Sequence, residues 1–310
     1  MSSSTGTASV RSAAQVRGYA LVGGSYVIFG AIGALVNYAT APESLLLVLR
    51  FAIASLVLTL LLARRKTFAE YRRPGIARRI LLMGVLDSGA LLCFFVALRE
   101  AGVAAGMFLF FSGPVFVALL APRVAKQPTD RVVWPALGMA LAGLAAILLP
   151  GLTGEAVHFS GLGVAFGVAG AVIWALFMMA MKSLTRSTGS EALVLAECWM
   201  DCIFLLPLAL WQSLGSSYAL TSRDAISAVL LGVVCTALPY WAFIEGMRHI
   251  RVQHSSILGY LEPVTAPLYA LALLGEWPSA WTLGGGALIL AAGVLVVVLG
   301  RPEEAPEMIT

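Results

Sequence analysis

Charge is scarce along this chain. Asp, Glu, Lys and Arg make up 12% of its 310 residues, about half the share that soluble domains carry, which argues against an ordinary water-soluble fold. Histidine occurs three times, and His158, His249 and His254 fall near the ends of apolar runs rather than together, so no histidine-based metal centre is expected. The four cysteines all lie inside apolar runs. Cys198 and Cys202 stand one helical turn apart without histidine partners, and read as small apolar filler rather than a metal or redox pair. A Gly-x-Ser-x-Gly elbow, a His-Glu-x-x-His pair and a Gly-x-x-x-x-Gly-Lys phosphate loop are all missing. An enzyme reading therefore has little to stand on, no cofactor or metal is implied, and any transport must be gradient-driven or facilitated. Short runs of alternating polarity, the mark of an outer-membrane barrel, are also absent.

Apolar residues are abundant. They form 60% of the chain, with a mean hydropathy of +0.91. A helix needs about 20 apolar residues to cross the hydrocarbon core, and such runs stand at about 19–39, 43–63, 79–99, 102–122, 131–150, 160–182, 191–211, 224–247, 252–274 and 280–300. The expected fold is an all-α integral membrane protein of ten transmembrane helices. Residues 1–18, Ser/Thr/Ala-rich and lacking an apolar core, read as a flexible tail rather than a cleavable signal peptide. Residues 301–310, with two prolines and three glutamates, read as a second tail.

The formal charge of +4 is explained by position rather than by a nucleic-acid partner. With the N-terminus in the cytoplasm, 17 of the 20 basic residues fall in cytoplasmic segments, against Arg99 and Arg223 outside and Arg50 within a span. Positive-inside bias thus favours a multi-pass protein with both termini cytoplasmic. A weak internal repeat accompanies this bias: Leu82-Met83-Gly84-Val85 returns as Leu230-Leu231-Gly232-Val233, Phe95 as Phe243, Phe111 as Tyr260, Pro114 as Pro263 and Trp134 as Trp281. An odd number of spans separates the copies, so Arg99-Glu100 falls outside and Arg248-His249 inside. The expectation is two inverted five-helix repeats, 19–150 and 160–300, an arrangement that exposes one central site to either side in turn.

Matched interruptions in the two halves point to that site. Pro114 and Pro263 each follow an irregular stretch, Phe111-Ser112-Gly113 and Tyr260-Leu261-Glu262, and each removes an intrahelical hydrogen bond; packing kinks are the alternative. Pro239 adds a third candidate hinge. Ionisable residues within spans are costly facing lipid, so Arg50, Asp87, Glu197, Asp201, Glu245 and Glu262 must point inward or pair. Glu197 and Asp201 stand one turn apart and repel if both are ionised, so Arg50, Asp87, Glu197 and Asp201 read either as a buried ion-pair network or as a proton relay. Glu262, beside the second proline, is placed to meet a substrate ammonium or a coupling proton. Mid-span tyrosine and tryptophan need partners for their polar atoms, which makes Tyr26, Trp174, Tyr240 and Tyr260 candidate cavity residues. Phe94 and Phe111 join them, with Met107, Met178 and Met179 as adaptable lining.

These features resemble a known family. The two five-helix halves, Leu49-Arg50-Phe51, Phe29-Gly30 and Trp174-Ala175 in the first span of each half, the paired prolines, and Gly275-Glu276 ahead of Leu283-Gly284 are similar to the EamA-type branch of the drug/metabolite transporter superfamily, over nearly all of 18–300. The resemblance implies a bacterial inner-membrane transporter with a central cavity between spans one, three, four, six, eight and nine. It also implies alternating access and outward movement of amino acids, with aromatic and other hydrophobic ones favoured by the aromatic set. One position departs from it: Glu276 is matched in the first half by Gln127. A broader drug or metabolite exporter of the same fold, and a membrane enzyme acting on lipid through Asp87, Glu197 or Asp201, are the competing readings.

Overall fold

The computed structural model describes residues 4–62, 66–154, 160–213, 218 and 220–301, and these are helical throughout, apart from the turns between helices. The first half of the chain forms α1 (Ser4–Phe29), α2 (Ala31–Tyr38), α3 (Glu43–Leu62), a short 3-10 segment (Lys66–Arg72), α4 (Ile76–Ala101), α5 (Val103–Phe110), α6 (Gly113–Val124) and α7 (Val133–Gly154). The second half forms α8 (Gly161–Leu184), α9 (Ser190–Ser213), α10 (Ser222–Val229), a π-helical segment (Leu230–Ala237), α11 (Leu238–Met247), α12 (Val252–Leu258), α13 (Leu261–Leu274) and α14 (Ala280–Leu299). Nine helical stretches among the described residues are long and apolar enough to cross a membrane. The expected fifth span is the shorter apolar stretch Val133–Leu149 within α7. Helices are the natural outcome of such runs, because backbone groups inside hydrocarbon must find their partners within the segment.

Two expectations about the chain's ends fare differently. The stretch 1–18, read as a flexible tail, is helical from Ser4 onward as the start of α1. Residues 302–310, together with 1–3 and His158, lie outside the described residues.

Four of the membrane-length stretches are not continuous α-helix. One breaks at Gly30 between α1 and α2, one at Phe111–Ser112 between α5 and α6, and one at Gly259–Tyr260 between α12 and α13; the fourth widens into the π-helical segment. Pro114 and Pro263 sit in the first turns of α6 and α13, where a missing N–H costs least. Pro239 sits in the first turn of α11, directly after the π-helical segment, where its absent N–H limits the regular ladder.

Polar contacts fasten the bundle at both ends. At one end Asp224 accepts from the backbone N–H groups of Thr40 (2.7 Å), Ala41 (2.9 Å) and Thr221 (2.7 Å) and from the hydroxyl of Tyr218, joining the α2–α3 turn to α10. At the other end two cations exchange caps. Lys182 near the end of α8 donates to the carbonyls of Met247 (2.6 Å) and Ile250 (2.8 Å), while Arg248 beyond α11 donates to those of Thr185 and Thr188 beyond α8. Each thereby satisfies carbonyls that a helix end leaves open. The start and finish of the bundle are fastened too, Tyr19 Oη lying 2.7 Å from His254 Nδ1 of α12 and the backbone N–H of Arg301 donating to Asp130 at 2.6 Å.

Away from the breaks, small residues bring helices into backbone contact. A Cβ on Gly285 of α14 would stand 2.3 Å from the carbonyl oxygen of Gly143 on α7, and a Cβ on Gly143 would stand 2.5 Å from that of Gly285. Replacing Gly285 with alanine is therefore expected to cost about 1–3 kcal/mol through overpacking and to lower the melting temperature of the detergent-purified protein. Gly284→Ala, where nothing lies within 4 Å of the added methyl, serves as the control. Equal melting temperatures would show that α7 and α14 do not depend on this contact.

Candidate functional site

The broken helices surround a cavity of about 550 Å³, within the range of small-molecule sites. All six spans expected around it contribute, and α3 adds Leu47 and Arg50. Its lining runs from exposed Asn37 and Val103 to a floor of buried Ser256 and Gly259 on and just after α12. Every residue of α12 is buried, so the chain is tightly packed on the floor side.

Two aromatic groups form much of the wall. In one, Tyr26 packs edge-on against Phe29 (ring centroids 5.7 Å apart) and Phe243 (5.4 Å), and Phe29 packs against Tyr240 (5.1 Å). In the other, Phe94 meets Phe110 at 4.5 Å and Phe110 meets Trp174 at 6.5 Å. Such tilted and edge-on pairs hold ring orientations as well as burying area. Phe29, Phe110 and Phe243 line the cavity alongside the tyrosines and tryptophan. Their sequence signal is no more than a place in an aromatic-rich span, which packing residues share. Met107 and Met178 also line it, whereas Met179 is buried outside the lining.

Of the expected binding residues, Tyr26, Phe94, Phe111, Trp174, Tyr240 and Glu262 face the cavity. Tyr260 does not. It is fully buried behind the wall, and its hydroxyl donates to the backbone carbonyl of Phe111 at 2.7 Å. In a regular helix that carbonyl would accept from Val115, but Val115 N–H donates instead to Ser112 at 2.9 Å. Tyr260 therefore supplies the hydrogen bond that the break removes. Pro114 lines the cavity, while buried Pro239 and Pro263 lie behind it.

The charged groups are few and inward. Arg50 donates through Nε to Thr236 at 2.6 Å and through Nη2 to Tyr240 at 3.3 Å, and its guanidinium lies 4.9 Å from the Phe51 ring centre. Thr236 in turn donates to the Leu231 carbonyl at 2.7 Å within the π-helical segment, so the irregular backbone positions the arginine's partner. Nothing in the apolar run Leu230–Ala237 signals that irregularity beyond the proline after it. Arg50, Asp87 and Glu262 all reach the cavity, whereas Glu197 and Asp201 lie behind Asp87 on α9. Glu245 is placed apart, at the end of α11, where it pairs with Arg248 at 3.1 Å and accepts from Ser190 at 2.7 Å.

A second glycine sets the wall's shape. A Cβ on Gly113 would stand 2.6 Å from Cε3 of Trp174, so the indole lies directly over the break between α5 and α6. On the opposite side Gly30 lets α1 approach α13, where its Cβ would fall 2.1 Å from Thr265 Oγ1 and 3.0 Å from the Glu262 carbonyl oxygen.

A multi-pass helical bundle with unwound helices around a solute-sized central cavity is the architecture of a membrane transporter. The EamA-like transporter family model matches the chain twice, over 16–149 and 161–299, and the protein belongs to that family, one of transporters rather than enzymes. It is 32% identical to a probable terminal-alkyne amino-acid exporter of Streptantibioticus cattleyicolor, across 76% of this chain and 79% of the relative. It is 26% identical to the threonine/homoserine exporter RhtA of Escherichia coli K12, across 82% of each. An uncharacterized transporter of Bacillus subtilis, YwfM, is 29% identical across 66% of this chain and 67% of the relative. A solved crystal structure, 20% identical, shares the fold with a TM-score of 0.74 over 91% of this chain and 97% of its own.

Because Tyr260 partners a carbonyl freed by the helix break, Tyr260→Phe is expected to destabilise the protein by about 0.5–1.5 kcal/mol, the net worth of one intramolecular hydrogen bond. A thermal shift assay in detergent measures this directly. A melting temperature equal to the unsubstituted protein's would mean that the Phe111 carbonyl finds another partner.

Proposed function

We propose that this protein is a secondary transporter that exports amino acids, favouring aromatic and other hydrophobic ones, by alternating access of the central cavity. The observation that carries this reading is the composition of the cavity wall. Two aromatic groups offer an apolar enclosure for a side chain, while Arg50 stands opposite in charge to Glu262 and Asp87 within the same space. A zwitterion with a hydrophobic side chain is the solute such a wall complements: its carboxylate meets Arg50, its ammonium meets Glu262, and its side chain lies between Phe94, Phe111, Trp174 and Tyr26. Two relatives named as amino-acid exporters support the solute class.

The same reading takes the chain as two inverted five-helix repeats, 19–150 and 160–300. The double match to one family model supports this, and so do the packing partners. Gly84 of α4 meets Met200 of α9, and its counterpart Gly232 meets Ile53 of α3; Gly143 and Gly285 meet each other. Phe111 and Tyr260, matched by position, are joined by a hydrogen bond. Left-handed backbone follows both α6 and α13, at Lys126 and Gly275. The matched pairing of Gly84 with Met200 and of Gly232 with Ile53 supports an exchange of the halves about a two-fold axis in the membrane plane. With the basic end of the bundle in the cytoplasm of a bacterial inner membrane, both termini are cytoplasmic.

Purified protein in liposomes with labelled phenylalanine tests the function. Saturable, protein-dependent flux is expected, with tryptophan and leucine competing. Trp174→Ala is expected to lower apparent affinity about 10-fold or more, as about 1.5–3 kcal/mol of apolar burial is lost. Glu262→Gln is expected to weaken zwitterions while leaving the bundle folded. No protein-dependent flux of any amino acid would end this reading. Flux of hydrophobic cations that zwitterions do not inhibit would replace it with a broader drug exporter.

A further inference from the structure

Behind the cavity lies a group of acids that solute recognition does not require. Asp87 of α4 and Glu197 and Asp201 of α9 each place one carboxyl oxygen within 4.8 Å of the others. Glu197 is 2% exposed and Asp201 0%. The Ser88 hydroxyl donates to Asp201 Oδ1 at 3.2 Å, but Glu197 Oε2 and Asp201 Oδ2 are buried without a donor among the described residues. The charged and titratable groups that bear on the acids are Arg50 of α3, Cys198 of α9 and Tyr240 of α11, with Tyr26 of α1 further along the same field.

Charge balance decides what is missing. Three ionised carboxylates against a single guanidinium, itself committed to Thr236 and Tyr240, would leave two negative charges uncompensated in a site shielded from water. Such an excess is far costlier than the group's neutral form. Asp87 is the member of the group that reaches the cavity wall.

We propose that Asp87, Glu197 and Asp201 form the coupling-proton site of this transporter, filled from and emptied into the cavity through Asp87. The proposal rests on the transport reading above and deepens it. Loading moves one proton from hydronium in the cavity to a carboxylate oxygen, breaking one O–H bond on the donor, which leaves as water, and forming one on the carboxyl group; unloading reverses that transfer. Because Arg50 faces both the acids and the solute's expected carboxylate, the guanidinium provides an electrostatic link between proton occupancy and solute binding.

Two measurements test the site, one of them independent of any solute. Infrared spectra of the purified protein in detergent are expected to show protonated carboxyl absorption in neutral buffer. That absorption should fall in Glu197→Gln and Asp201→Asn, and should not change when sodium replaces potassium. Should Asp201→Asn fail to fold, Ser88→Ala keeps all three carboxyls and is expected to shift the band by removing a donor to Asp201. A spectrum lacking this absorption, or one in which sodium abolishes it, overturns the proton site. In liposomes enclosing a pH-sensitive dye, an imposed phenylalanine gradient is expected to move protons, with fewer protons moved per phenylalanine in Glu197→Gln. Phenylalanine flux without proton movement in the unsubstituted protein overturns the coupling. An intact carboxyl band with no amino-acid flux upholds the proton site and overturns the choice of solute.

Discussion

The hydrogen bond from Tyr260 to the Phe111 carbonyl is the contact on which the rest of the arrangement turns. A chain that unwinds inside a membrane must find new partners for the backbone groups it frees, because lipid offers none. Here the two interrupted helices lie side by side, and a side chain from one break satisfies the backbone of the other. Once that requirement is met, the breaks can surround a cavity rather than collapse into continuous helix.

The wall is asymmetric where the architecture is most alike. At one break Trp174 lies over Gly113, with no room for any side chain at that position. At the matched position on the other side stands Glu262, and there the close approach is made by Gly30 of α1 instead. A large ring on one side and an acid on the other thus follow from where each pair of helices places its glycine.

Charges elsewhere are used for fastening. Lys182 and Arg248 close the helix ends opposite one another, and Asp224 gathers the backbone donors of the α2–α3 turn. These contacts lie at the ends of the bundle, where the polar partners are backbone groups that helix termini leave open. The central charges, by contrast, converge on one arginine. Arg50 is held through Thr236 by a π-helical segment, an irregularity of the kind often found at functional sites. Backbone geometry and electrostatics are therefore joined at a single residue.

The all-helical membrane architecture was legible in the sequence, because the hydrocarbon core imposes a length and polarity on every segment that crosses it. The family resemblance was legible from Arg50, the paired prolines and the glycine-bearing turns. Six of the expected aromatic and acidic candidates meet at one cavity, since mid-span polarity is too costly to leave facing lipid. Other features depended on what each residue touches. Tyr260 carries the same signal as Tyr26, yet its hydroxyl serves a backbone carbonyl 149 positions away, and only the packing of α6 against α12 decides that. The π-helical segment, the helical start of α1 and the reciprocal caps were likewise invisible to hydropathy, which records how apolar a run is and not its hydrogen-bond register. Sequence alone thus determined where the chain must hide its backbone and its charges; tertiary structure decided which partner each one found, because that depends on distances between segments far apart in the chain.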